Sequence, residues 1–148
     1  MRPFEVLLVE DNEADARLVA EAFKDADVPS ALTRVEDGVH AMDYLLARDG
    51  YTNRKFPDLV LLDLNMPRKD GRQVLAEIRK EPNLAKLPVI ALTTSEARRD
   101  VDACYELGAN AYIVKPNDLD TFLDAVRALR QFWLEVATLP RHLLPQAG

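Results

Sequence analysis

Asp58-Leu59-Val60-Leu61-Leu62-Asp63-Leu64-Asn65-Met66-Pro67 contains an apolar run, Leu59 to Leu62, with no polar break, and the run stops on the Asp63 carboxylate. A run of that kind, buried on both faces, reads as a central strand of a parallel sheet. In open α/β sheets the functional crevice lies outside the carboxyl ends of the strands. An acid standing where the run stops is therefore aimed at that crevice. Pro67 and Gly71 punctuate a loop, and a helical pattern begins at Arg72.

Similar runs lie on either side. Upstream, Val6-Leu7-Leu8-Val9 ends on Glu10 and Asp11. Downstream, Val89-Ile90-Ala91-Leu92 ends on Thr93-Thr94-Ser95, and Ala111-Tyr112-Ile113-Val114 ends on Lys115-Pro116. Ala31-Leu32-Thr33-Arg34-Val35 is more polar and reads as a strand nearer a sheet edge. Helical stripes separate the runs. Asn12 caps a helix carrying Leu18, Val19, Ala22 and Phe23, and Pro29 closes it. After an Asp37-Gly38 turn, Val39, Met42, Leu45 and Leu46 line a second helix. Asp49 to Pro57 reads as a polar loop. Val74, Leu75 and Ile78 mark a third helix from Arg72 to Glu81, and Pro82 and Pro88 bracket the connection after it. Ser95 is expected to cap a fourth, with Val101, Cys104, Tyr105 and Leu107 periodic and Gly108 as its stop. Asn117 or Asp118 caps a fifth, striped by Leu119, Phe122, Leu123, Val126 and Leu129. Strands alternating with helices imply a doubly wound parallel sheet with helices on both faces.

At 148 residues, 48% hydrophobic and 30% charged, the chain is expected to form one soluble globular domain. No apolar stretch approaches the ~20 residues of a membrane span, and the N-terminus runs into a strand pattern without a secretory segment. The lone cysteine, Cys104, excludes an internal disulfide, fits a reducing cytoplasm and reads as small core filler. A net charge of −6 argues against non-specific nucleic-acid binding, even with Arg127, Arg130 and Arg141 near the C-terminus. His40 and His142 are isolated, without metal-ligand spacing, and are expected at the surface.

If the strands are parallel, Glu10, Asp11, Asp63, Thr93 and Lys115 gather at one sheet edge. Clustered carboxylates repel one another unless a cation or a shifted proton relieves them. A hard divalent cation such as Mg²⁺ takes oxygen ligands and only a few carboxylates. A phosphoryl group would complete the site, its charge offset by the metal and Lys115 and its oxygens bonded by Thr93. A carboxylate so placed can itself attack phosphorus and become an acyl phosphate.

Glu10-Asp11, Asp63 with Met66-Pro67 and Gly71 behind it, Thr93, and Lys115-Pro116 together resemble the signature of a two-component response regulator receiver domain, over about residues 4 to 130. That resemblance implies a flavodoxin-like (βα)5 fold with strand order 2-1-3-4-5. It implies Asp63 as phosphoacceptor and Asp11, Asp63 and the Asn65 backbone carbonyl as ligands of Mg²⁺ or Mn²⁺, with Glu10 acting directly or through water. Lys115 would pair with the phosphate, Thr93 would move to it, and Tyr112 would act as an aromatic switch following Thr93. Asn65 and Ser95 occupy positions that tune hydrolysis in the family. The donor would be a phosphohistidine of a sensor histidine kinase, docking on the first helix, about Glu13 to Ala26, and on the loop after the fifth strand. The expected role is a signalling switch rather than an enzyme.

The Asp49 to Pro57 loop, the Leu64 to Gly71 run, Leu92-Thr93-Thr94-Ser95 and the Phe132 to Pro140 extension are similar to single-domain receivers that partner bacterial phytochrome kinases. No DNA-binding domain is expected after residue 148, so signalling is expected through protein–protein contacts. Phe132, Trp133, Leu134, Val136, Leu139, Leu143 and Leu144 lie beyond the usual end of such a domain. With no obvious core left to enter, they read as an interface, with Phe132, Trp133, Val136 and Leu139 as its centre and homodimerisation as its use. The competing arrangement is a tail folded back on its own domain. Two other functions remain open. A haloacid-dehalogenase-type phosphatase would carry a second acid where Asn65 stands. A flavodoxin-like cofactor binder would carry a phosphate-binding loop after Val9, and none is present.

Overall fold

The computed structural model describes residues 2–24, 28–66 and 68–140. Five strands, β1 (Phe4–Val9), β2 (Ser30–Val35), β3 (Leu59–Leu62), β4 (Val89–Thr93) and β5 (Ala111–Val114), form a parallel sheet in the order β2-β1-β3-β4-β5. Between and after them run α1 (Glu13–Lys24), α2 (Gly38–Leu45), α3 (Gly71–Lys80), α4 (Arg98–Glu106) and α5 (Leu119–Arg130). The expected flavodoxin-like order is the one present. Every residue of β3 is buried, as its unbroken apolar run requires, whereas β2 at one edge is mostly half-buried.

Because successive strand side chains point to opposite faces, the sheet supports two cores. Leu7, Val9, Val60, Leu62, Val89 and Ala91 pack under α2 and α3 with Cys104 of α4. Val6, Leu8, Leu59, Leu61, Ile90 and Leu92 pack against α1 and α5. Parallel pairing fixes the register, with Val9 opposite Val35 on one side and Leu62 on the other. The carboxyl ends of these strands are thereby level. Everything polar that follows an apolar run emerges on one edge.

Local chemistry explains the helix starts and corrects several sequence readings. Asn12 Oδ1 accepts from the Asp15 amide at 2.9 Å, and Asp118 accepts from the Thr121 amide, as N-cap residues do. Asp37-Gly38 is a helix start, not a turn: the Asp37 side chain caps α2 by accepting from the His40 amide. His40 is not isolated, because its ring Nδ1 lies 2.9 Å from Asp37 Oδ1. Leu46 lies just past α2 and is exposed, as are Tyr105 and Leu119, so the apolar stripes are narrower than periodicity suggested. Ser95 does not cap α4, which begins at Arg98 behind Ala97 with no side-chain cap. Its hydroxyl instead donates to Asp100 Oδ2 and accepts from the Ala97 amide.

The chain beyond α5 continues into a π-helical segment, Gln131–Val136. There the expectation of an orphaned apolar tail is corrected in part. Leu134 and Leu139 are buried, joining Phe122, Val126 and Leu129 in the α1/α5 core, with Trp133 partly packed against the same cluster. Leu139 therefore belongs to its own domain rather than to a free surface. Phe132, at 50% exposed, and Val136, at 66%, face outward. Arg141, His142, Leu143 and Leu144 lie outside the described residues. Leu134→Ala should consequently behave as a core truncation and lower unfolding stability by about 2–4 kcal/mol in a urea titration. A change within experimental error would mean that the segment does not pack on the domain.

Candidate functional site

The site forms where β1, β3, β4 and β5 end. Strand-like hydrogen bonds continue past the last strand residues: the Glu10 amide donates to the Val35 carbonyl at 3.0 Å, the Asp63 amide to Val9 at 3.0 Å, and the Lys115 amide to Thr93 at 2.7 Å. These bonds bring residues distant in sequence onto one shelf. Glu10, Asp63, Thr93 and Lys115 are all buried, while Asp11 is exposed at the rim. Carboxylate oxygens of Glu10, Asp11 and Asp63 all lie within 4.8 Å of one another.

Lys115 supplies the counter-charge. Its ammonium lies 2.5 Å from Glu10 Oε1, 3.0 Å from Asp15 Oδ2 and 3.8 Å from Asp63 Oδ2. Burial alone would lower the lysine pKa, but the surrounding carboxylates outweigh it and the group is held above its ordinary value. Glu10 moves the opposite way for an acid in an ion pair. Burial, helped by the Asp63 charge, pushes it up to about 7, although the Lys115 hydrogen bond pulls it down. The causes differ: burial is what raises Glu10, with the Asp63 charge adding to it, whereas Lys115 is raised by its carboxylate partners in spite of burial. One ammonium among several carboxylates leaves the site with excess negative charge.

That excess suits a divalent cation. The donors are all carboxylate oxygens, the set a hard ion such as Mg²⁺ or Mn²⁺ accepts, and exposed Asp11 leaves the rim open to water ligands. A thiolate-seeking metal has no ligand here, because the only cysteine is buried beneath the sheet in the other layer.

Asn65 ties the shelf together. Its amide donates to Asp63 Oδ1 at 3.3 Å, and its side-chain Nδ2 donates to Thr93 Oγ1 at 3.3 Å. Thr93 is thus oriented within the pocket without capping a helix. Tyr112 on β5 is half-buried, its hydroxyl donating to the Ser95 carbonyl at 2.7 Å. Phe132, Trp133, Val136 and Leu139, by contrast, belong to the segment after α5 and take no part in this constellation.

Two participants were not anticipated. Asp15 stands in the first turn of α1, three residues past the Asn12 cap, so the capped helix start behind Glu10 and Asp11 was the signal that could have placed it beside the acids. Arg34 reaches from the edge strand and donates to the carbonyls of Glu10 at 2.9 Å and Asp11 at 3.1 Å, fixing the acidic corner from below. A cation in a short polar strand carries no comparable sequence signal. Arg68, in the loop after β3, pairs with Asp37 at 3.1 Å and so ties that loop to the start of α2.

An acidic triad, a hydroxyl and a lysine on the carboxyl edge of a five-stranded parallel sheet are what a phosphoaccepting receiver requires, and the sequence profile of the response regulator receiver domain matches residues 6–127. The chain belongs to that family. It is 46% identical over 138 residues to Response regulator Rcp1 of Synechocystis sp., covering 93% of this chain and 94% of that protein. Among solved structures, the phosphorylated cyanobacterial phytochrome response regulator RcpA superposes with a TM-score of 0.92 at 45% identity, over 95% of this chain and 100% of that one. The Mn²⁺-bound form of Rcp1 superposes with a TM-score of 0.91 at 46% identity, over 94% and 100%. The chain is thus a response regulator related to those of phytochrome signalling.

Proposed function

We propose that this protein accepts a phosphoryl group on Asp63 from the phosphohistidine of a phytochrome-type sensor histidine kinase and signals through protein contacts in the cytoplasm. The observation that carries the proposal is the placement of the buried Asp63 carboxylate 3.8 Å from the Lys115 ammonium and beside two further acids. In the reaction an Asp63 carboxylate oxygen forms a bond to phosphorus as the phosphorus–nitrogen bond of the donor breaks. The bonding pair stays on that ring nitrogen, the imidazole takes one proton from solvent water and leaves as the neutral ring, and the receiver carries an acyl phosphate.

Glu10, Asp11, Asp63 and the Asn65 backbone carbonyl would hold Mg²⁺, which supplies charge stabilisation to the phosphoryl oxygens when bound. Lys115 offsets the remaining negative charge. Thr93, whose hydroxyl accepts from the Asn65 side chain, would move to donate that hydroxyl to a phosphoryl oxygen, and Tyr112 would exchange its Ser95 partner as Thr93 moves. Asn65 supplies an amide where a turnover enzyme would need an acid, which favours a persistent acyl phosphate over multiple turnover.

Metal binding should depend on pH with a defined sign. Glu10 titrates near 7 in the folded protein against an ordinary 4.5. A raised acid contributes stability at low pH that is lost as pH rises through the folded value. The metal-free protein therefore loses stability between about pH 4.5 and pH 7 on this account. A cation displaces the proton, so its affinity falls by up to roughly tenfold per pH unit below 7. Thermal melts with and without Mn²⁺ at pH 6 and pH 8 test this, and an equal metal-induced shift at both would contradict it.

The kinase assignment is tested by phosphotransfer profiling. Radiolabelled histidine kinases of the source organism, a phytochrome kinase among them, are mixed with the receiver for short times. Preferential label transfer from the phytochrome kinase is expected, and transfer from another kinase alone would overturn the partner. Exposed Phe132 and Val136, beside partly packed Trp133, support homodimerisation through this segment, whereas Leu139 serves to anchor it. Phe132→Glu with Val136→Glu should yield monomers in sedimentation velocity that keep the far-ultraviolet circular dichroism of the folded domain, with a melting temperature lowered only by the loss of association and of the Phe132–Trp133 contact. An unaltered sedimentation coefficient would remove that interface.

A further inference from the structure

Lys115 is the cation that the proposed reaction needs beside Asp63, yet its ammonium is nearer to Asp15 than to Asp63, at 3.0 Å against 3.8 Å. Asp15 is not one of the three clustered carboxylates. It sits in the first turn of α1, its own amide fixed by Asn12 Oδ1. The pair is half-sheltered, with the lysine side chain 5% exposed and that of Asp15 26% exposed. Glu10 holds the same ammonium closer still, at 2.5 Å, so Asp15 is a second anchor for it on the α1 side, and both anchors are shorter than the contact with the acid that is to be phosphorylated.

We propose that Asp15 is a positioning residue that holds Lys115 toward α1 in the resting protein and gives it up when a phosphoryl group arrives on Asp63. The inference rests on the phosphoacceptor reading above. Charge decides the exchange. A phosphoryl group brings roughly −1.5 to −2 charges to a buried position, whereas Asp15 offers one charge that water can take over. Release leaves the Asp15 carboxylate unpaired in the first turn of α1, beside the exposed Glu13–Arg17 pair. The helix expected to dock the donor thereby changes its surface charge with the state of the site. No relay through Thr93 or Tyr112 is needed for that change.

The test uses the full chain with Mg²⁺ and the near-isosteric substitution Asp15→Asn. A ligand that binds only the released lysine is weakened by the fraction still latched. Removing the latch should tighten beryllofluoride binding about three- to tenfold. The initial rate of phosphorylation by acetyl phosphate, followed by intact mass, should rise by a similar factor. Glu13→Gln removes an acid from the same turn that does not touch Lys115, and should leave both readouts unchanged. In a Lys115→Met background, Asp15→Asn should have no further effect on the acetyl phosphate rate. The same gain in that background, or with Glu13→Gln, would reduce the effect to general charge and overturn the proposal, as would no gain in Asp15→Asn itself. Wild-type protein that takes up neither beryllofluoride nor a phosphoryl group would instead overturn the phosphoacceptor reading, and this inference with it.

Discussion

Asp63→Asn should form no phosphoryl adduct with acetyl phosphate and Mg²⁺, a loss of at least about a thousandfold in rate when scored by intact mass. The substitution keeps the shape of the side chain and the acceptor for the Asn65 amide. It removes the nucleophilic carboxylate, and an amide does not replace it. The same variant should be more stable than the wild type without metal, because the Asp63 charge is among the groups that raise the Glu10 pKa. Loss of phosphorylation with an unchanged or raised melting temperature identifies a chemical role. An adduct that survives the substitution would place the phosphoacceptor elsewhere.

Gly71→Ala should be strongly destabilising, because the added methyl group meets the backbone of the phosphoacceptor itself. A Cβ at residue 71 would land on the Asp63 carbonyl and within 2.7 Å of the Leu64 Cα. These are backbone atoms of the strand end, and no flexible side chain can yield. The expected cost is about 3 kcal/mol, which for a domain of this size lowers the melting temperature by roughly 6–12 °C. Because the clash bears on Asp63 itself, phosphorylation by acetyl phosphate should slow even in the molecules that remain folded. A melting temperature within a degree of wild type would show that the β3–α3 connection can relax.

The sheet was legible because each strand is an unbroken apolar run that ends abruptly, and parallel pairing turns those endings into one edge. The same logic assembled Glu10, Asp11, Asp63, Thr93 and Lys115 without any knowledge of the intervening loops. It failed where a contact depends on side-chain reach rather than on strand ends. Arg34 holds two carbonyls of the acidic corner from an edge strand, and Asp15 reaches Lys115 from the first turn of a helix that was read only as a docking surface. Helix stripes were drawn too wide at Leu46, Tyr105 and Leu119, since periodicity marks a face without saying how far the neighbouring layer extends. Leu139 was misplaced for a related reason. A residue beyond the last helix looks orphaned only if the chain is assumed not to turn back.

That turn gives the segment after α5 a mechanical character. Leu134 and Leu139 pin it to the domain at two points, and Phe132 stacks edge-on against Trp133 with ring centroids 5.4 Å apart. The exposed Phe132 and Val136 are therefore displayed on a stiff ridge and not on a loose arm. A surface already held in one conformation loses little entropy when something settles on it. Any such contact would be weighed almost wholly by shape and apolar area, and because the ridge rests on the same core as α5, a shift of that helix would move both side chains as one body.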